Sequence, residues 1–262
     1  MTNMNAGKLR LRIAICVAAG IFVPAAAQAQ STFRLYAGLA PTNYSIAFDN
    51  DITSNFKKGK TVKSSYTAAN AGFSWITPIG LYIDLSGQKS PSSATHDLWT
   101  SVTTVPQDFS RTDAQLTLGY VRAFNGGATI SGFGGFKVGT TTLSAPKPPV
   151  AFSTEEFKSQ GVFVGVGGGF PLLGGQISVS GGIAFMGGKW TDDTGFSQTA
   201  DYTLGYSLGG GYTYKFTPAL GVTLDARYQQ YNYSFNAYSA TLPAYEIREK
   251  IASVGARLSY QF

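Results

Sequence analysis

Nine charged side chains sit at alternate positions of otherwise apolar runs, and they are the groups in this chain most able to do chemistry. They are Arg34, Asp84, Asp113, Lys137, Asp201, Lys215, Asp225, Arg227 and Arg257. Alternation puts them together on one face of a sheet. With both signs present they make either a network of ion pairs filling an interior or the polar lining of a narrow pore, since buried charges need partners. Asp225, Arg227 and Arg257 fall on neighbouring strands, and Arg257 is expected to pair with Asp225.

Catalytic and metal chemistry is poorly supplied. His96 is the one histidine. Its neighbour Asp97 would point to the opposite side of a strand, so the two do not form an acid–base pair. Asp192 and Asp193 offer a cation too few oxygens. Gly165-Val166-Gly167-Gly168-Gly169 lacks the following helix of a phosphate loop and reads as strand glycine. Cys16 is the one cysteine and lies in the N-terminal leader, so neither a disulfide framework nor a thiol nucleophile is expected. The expectation is a non-enzymatic chain with no metal and no cofactor.

The N-terminus has the form of a secretory leader. Lys8, Arg10 and Arg12 precede the apolar stretch 13–23, and Ala27-Gln28-Ala29 is a small-x-small cleavage site. Residues 1–29 are therefore expected to be a signal peptide and 30–262 the mature domain. Removing three of the 20 basic residues leaves 17 − 14 = +3. That small, dispersed charge excludes nucleic acid as a partner. Aromatics make up 14% of the chain and charged residues 13%, with 32 glycines, a balance that suits a lipid-facing surface.

About ten segments alternate with period two, the signature of strands with different solvents on their two faces. The last is the clearest. Ala252, Val254, Ala256, Leu258, Tyr260 and Phe262 oppose Ser253, Gly255, Arg257, Ser259 and Gln261, and eleven residues are about what a tilted strand needs to cross a bilayer. Pro41 reads as a bulge or the end of the first strand. Tight turns near 77–80, 125–127, 171–174 and 217–219 alternate with longer polar loops near 43–63, 88–111, 144–156, 189–199 and 236–244. Trp75, Phe124, Phe170, Phe216 and Phe262 end the strands that lead to the short-turn side, the last four spaced 46 residues apart. With Tyr260 they read as an aromatic girdle at one membrane interface. The fold expected is all-β, a single antiparallel up-and-down transmembrane barrel of about ten strands, eight being possible. An even count places both termini on the short-turn side.

The leader and the terminal pattern Leu258-x-Tyr260-x-Phe262 resemble the small bacterial outer-membrane β-barrel proteins. The resemblance implies an integral outer-membrane location with both termini in the periplasm. It also implies recognition of the C-terminal strand by the barrel-assembly machinery, and contact with outer-membrane lipid including lipopolysaccharide. Lys57, Lys58, Lys60 and Lys63 form either a solvated loop or a contact for lipopolysaccharide phosphates. Tyr231, Tyr233, Phe235 and Tyr238 form either the outer girdle or an adhesive patch. The leading expectation is a structural or surface-interaction role with a mostly filled polar lumen, and the alternative is a narrow porin-like channel.

Overall fold

The computed structural model describes residues 31–49, 61–91, 94–97, 108–147, 151–237 and 244–262. The leader, Lys57, Lys58, Lys60, Tyr238 and the His96 side chain lie outside the described residues. Twelve β-segments follow one another: β1 Thr32–Phe48, β2 Thr61–Ile76, β3 Leu81–Lys89, β4 Ala94–Asp97, β5 Asp108–Ala123, β6 Thr129–Lys147, β7 Ala151–Leu172, β8 Gly175–Thr191, β9 Ser197–Asp201, β10 Thr203–Lys215, β11 Leu220–Phe235 and β12 Tyr245–Gln261. β3 and β4 both lie between β2 and β5, and β9 and β10 both lie between β8 and β11. Each of these pairs acts as one stave, so the barrel has ten staves. All pairings are antiparallel, and β1 closes the ring against both β2 and β12.

Following directly paired residues once around the wall gives the stagger. Phe33 leads through Trp75, Ile83, Leu118, Gly134, Val164, Ile183, Tyr206, Gln230 and Lys250 to Ser45. The path returns to β1 at 45 − 33 = 12 residues from its start. With ten staves and strand spacings of ~3.3 and ~4.8 Å, this shear implies a tilt of about 40° and a backbone radius of about 10 Å.

Pleat parity runs unbroken along β1, but polarity does not. In the first half, outward Phe33, Leu35 and Leu39 are exposed and apolar, and inward positions carry Arg34 and Tyr36. From Pro41 onward the outward positions are Asn43, Ser45 and Ala47, while inward Tyr44, Ile46 and Phe48 are fully buried. β12 reverses in the same way. Outward Glu246, Arg248 and Lys250 give way to Ala252, Val254 and Leu258, and inward Tyr245, Ile247 and Ile251 give way to Ser253, Arg257 and Ser259. Each inversion marks where the outer solvent changes from hydrocarbon to water. The apolar stretch 252–262 climbs about 25 Å at this tilt, the height of a barrel's lipid-facing band.

This inversion corrects several strand limits. Pro41 neither ends nor bulges β1, because the pairing with β12 skips only Ala40 and Pro41 and resumes in register at Thr42. Much of 144–156 is strand in β6 and β7, and 189–199 holds a tight turn instead of a long loop. There the Asp192 carboxylate accepts from the backbone N–H groups of Thr194 and Phe196, at 2.9 and 3.0 Å. It is a turn cap. Between β9 and β10 the inward parity changes at Tyr202. Gln198 and Ala200 point in before it, and Thr203 and Gly205 after it. Asp201 is therefore outside the lumen, accepting from Asn236 at 3.0 Å.

Several inward glycines do not widen the lumen, because aromatic rings lie over them. A Cβ on Gly72 would come within 2.4 Å of the Tyr36 ring, and one on Gly119 within 2.5 Å of Tyr82. One on Gly135 would meet Phe163 at 2.7 Å, and one on Gly165 would meet Phe133 at 2.5 Å. Ring over glycine is a recurrent way of filling a barrel wall. It also explains why Phe163 breaks the apolar-outward pattern of β7.

Candidate functional site in the barrel lumen

The loop end of the lumen is sealed by an apolar core. Phe48, Phe109, Phe157, Trp190, Tyr233, Phe235, Tyr245 and Ile247 come from six different staves, and each is at most 2% exposed. Phe157 packs edge-on to Tyr233 at 4.8 Å, Phe48 edge-on to Trp190 at 5.7 Å, and Phe235 stacks on Tyr245 at 4.6 Å. The Trp190 indole donates to Glu155 Oε2 at 2.7 Å. Tyr233 and Phe235 are thus inward plug residues, and Tyr231 is inward beneath them, facing Lys137 and the cavity below, so the girdle and adhesive readings are both wrong for all three. They stand above the lipid edge, where the wall's inner face must exclude water to be stable.

Beneath the plug a charged bridge crosses the lumen. Arg111 of β5 forks onto Asp113, with Nε and Nη2 each donating at 2.8 Å. Its Nη1 donates to Thr141 at 2.7 Å and pairs with Glu249 of β12. Tyr44 and Tyr233 donate to Glu249 at 3.1 and 2.9 Å. Lys137 lies 3.5 Å from Asp113 and donates to Gln229 at 2.8 Å. Arg111 and Glu249 are essentially without solvent, so the pair holds only because every partner is in place.

Below the bridge the lumen opens into a cavity of about 440 Å³ lined by charged and apolar side chains together. Ser180 in its lining and inward Ser178, nearer the short turns, are exposed, whereas the plug residues are not, so the cavity opens toward the short turns. Arg257 pairs with Asp225 at 2.9 Å. Tyr36 donates to both oxygens of Asp84, at 3.0 and 3.2 Å, and Arg34 donates to Ser74 at 3.2 Å. The guanidinium of Arg257 lies 5.1 Å from the centre of the Tyr36 ring. Arg227 makes no hydrogen bond or ion pair among the described residues. Lys215 donates to Gln261 near the rim.

The structure therefore divides the charges read from the sequence. Asp113 and Lys137 join the upper bridge, while Arg34, Asp84, Asp225, Arg227 and Arg257 line the lower cavity. Arg111 and Glu249 are the central members that sequence reasoning missed. A signal for Glu249 existed: it is a lone acid on the apolar phase Tyr245, Ile247, Ile251 of an alternating run. Outside the lumen, Phe124, Phe170, Phe216, Tyr260 and Phe262 are exposed at the short-turn end, and Trp75 stacks on Phe33 at 5.6 Å. Lys63 is exposed on β2. His96 and Asp97 pair by backbone with Ser64 and Lys63.

No family model matches this chain, and no curated protein does. Solved structures do. The outer membrane protease OmpT from Escherichia coli aligns with a TM-score of 0.64 at 9% identity, over 88% of this chain and 97% of that one. The translocator domain of the autotransporter NalP from Neisseria meningitidis aligns with a TM-score of 0.50 at 10% identity, over 88% of each chain. At such identities the likeness establishes the fold alone, that of the bacterial outer-membrane β-barrels.

Proposed function

We propose that this protein is an integral outer-membrane barrel, blind at its loop end, with a structural or surface-interaction role. In this reading the loops face outward, both termini face the periplasm, and the assembly machinery recognises the strand ending at Phe262. One observation carries the reading: the aromatic plug, with the Arg111–Glu249 bridge beneath it, crosses the whole lumen. It speaks against the narrow-channel alternative, because a solute leaving the lower cavity would have to displace both layers. The lumen is filled differently from what the sequence led us to expect. Its outer part is apolar, and its inner part carries the remaining charges and is partly empty, where a mostly filled polar lumen was anticipated.

Conductance tests this. The refolded protein in a planar bilayer is expected to give no stable current steps at either polarity. Regular, salt-dependent steps would overturn the blind-barrel reading and restore the channel.

A further inference from the structure

The outer wall carries a feature that the lumen does not explain. Across β10, β11, β12, β1 and β2 runs an open trough of about 930 Å³. Its floor is built mostly from small or ring-closed residues, Gly210, Ala226, Ala252 and Pro41, with Val254 among them. Gly210 faces Ala226, Ala226 faces Val254, and Ala252 faces Asn43. The bulkier outward side chains Leu224 and Leu39 bound it on the membrane side, and Leu208 and Tyr228 form one flank. Four strand spacings make it roughly 20 Å long. It begins within the apolar band and ends at the polarity inversion of β1, β2 and β12.

Immediately beyond its outer end stand three cations. Lys250 and Arg248 project from β12, and Lys63 from β2. Between them β1 presents only Ser45 and Ala47, for Ser45 pairs with both Lys250 and Lys63, and Ala47 with Arg248. Across β1 the Cα atoms of Lys250 and Lys63 are therefore about 10 Å apart, and Arg248 is one pleat repeat further along β12, about 7 Å from Lys250. All three side chains can reach one group set on the Ser45–Ala47 floor. None of the three has an ion-pair partner among the described residues. Glu246 is the next outward residue beyond Arg248, Asp49 stands beside it past Ala47 and accepts from the Glu246 backbone N–H, and Asp97 occupies the register position beside Lys63 on its far side. The other basic pair at this edge, Lys158 and Lys189, face each other across β7 and β8, and there Glu156 binds Lys158 at 2.8 Å.

The geometry points to a binding site for a phosphorylated lipid of the outer leaflet. An acyl chain lies in the trough and the phosphate lies between Lys63, Arg248 and Lys250. The trough supplies apolar contact at the depth where acyl chains run. The cations stand where phosphates run, and a charge-assisted contact there needs no buried partner. This rests on the outer-membrane placement proposed above, and its test is separable from that placement.

The experiment uses full-length mature protein refolded in a neutral sugar detergent, with folding confirmed by the migration shift of unheated against heated samples. The probe is lipid A, with dephosphorylated lipid A of identical chains as control, and retention is read by native mass spectrometry. The triple variant Lys63→Gln/Arg248→Gln/Lys250→Gln is expected to fold normally and to bind lipid A at least about tenfold more weakly than wild type. Ala252→Trp, which fills the trough, is expected to weaken it similarly, and Lys158→Gln/Lys189→Gln to leave it within about threefold. Dephosphorylated lipid A is expected to bind wild type as weakly as lipid A binds the triple variant. Retention by the triple variant within about threefold of wild type, or retention independent of the phosphates, overturns the site and leaves only annular lipid. Failure of wild type to show a migration shift would instead contradict the membrane-barrel reading.

Discussion

Arg111→Ala is expected to lower the free energy of unfolding by about 3–5 kcal/mol, the range for removing one member of a buried ion pair. The magnitude follows from what is left behind. Glu249 has no exposed surface, and without the guanidinium its remaining donors among the described residues are the Tyr44 and Tyr233 hydroxyls. Among the described residues Asp113 keeps only Lys137, at 3.5 Å. The Tyr44 ring also loses the cation 5.0 Å from its centre. Arg111→Lys keeps the charge but loses the fork onto Asp113, so a smaller loss is expected. The paired variant Arg111→Met/Glu249→Gln removes both charges together. It is expected to be more stable than Arg111→Ala, with a coupling of about 0.5–3 kcal/mol. Urea titration of the folded band in vesicles measures all of these. A cost below about 1 kcal/mol for Arg111→Ala would mean that water reaches the bridge.

Trp190→Ala is expected to cost about 3–5 kcal/mol, through lost burial and the cavity left in the plug. The indole is 1% exposed and packs against Phe48 and Phe157, so no neighbour can swing into the gap without leaving its own place. Its Nε1 bond to Glu155 adds to the loss. Trp190→Phe separates the two contributions: it retains most of the volume and is expected to cost about 1–2 kcal/mol, close to a single buried hydrogen bond. Equal, small losses in the two variants, read in the same titration, would show that the plug is loosely packed.

The membrane half of the barrel was legible because each strand meets hydrocarbon on one side and a polar lumen on the other. Leu258, Tyr260 and Phe262 alternate cleanly with Arg257, Ser259 and Gln261 for that reason. The outer half was not read as strand because its pattern is reversed. Glu246, Arg248 and Lys250 look like loop residues when apolar-outward alternation is the template, although their parity continues that of Ala252 and Val254. The same template made Arg111 the end of a loop and Tyr231, Tyr233 and Phe235 a surface patch. The contact from Arg111 to Glu249 spans 138 residues, and short-range patterning carries no information about such a pair. The pairing of Asp225 with Arg257 is different: the two strands are consecutive, and alternation puts both side chains on the inner face.

Single cysteines along β1, at Leu39, Ser45, Ile46 and Ala47, give the most direct measurement of a barrel with an inverted outer half and a sealed lumen. Each is probed in vesicles with a water-soluble maleimide and, after attachment of a small fluorophore, with a lipid-borne quencher. Position 39 is expected to be quenched by lipid and unreactive to maleimide. Positions 45 and 47 are expected to be reactive and unquenched, and position 46 to be neither. Ready maleimide reaction at 46 in the folded protein would contradict the seal, and lipid quenching at 45 and 47 would contradict the inversion.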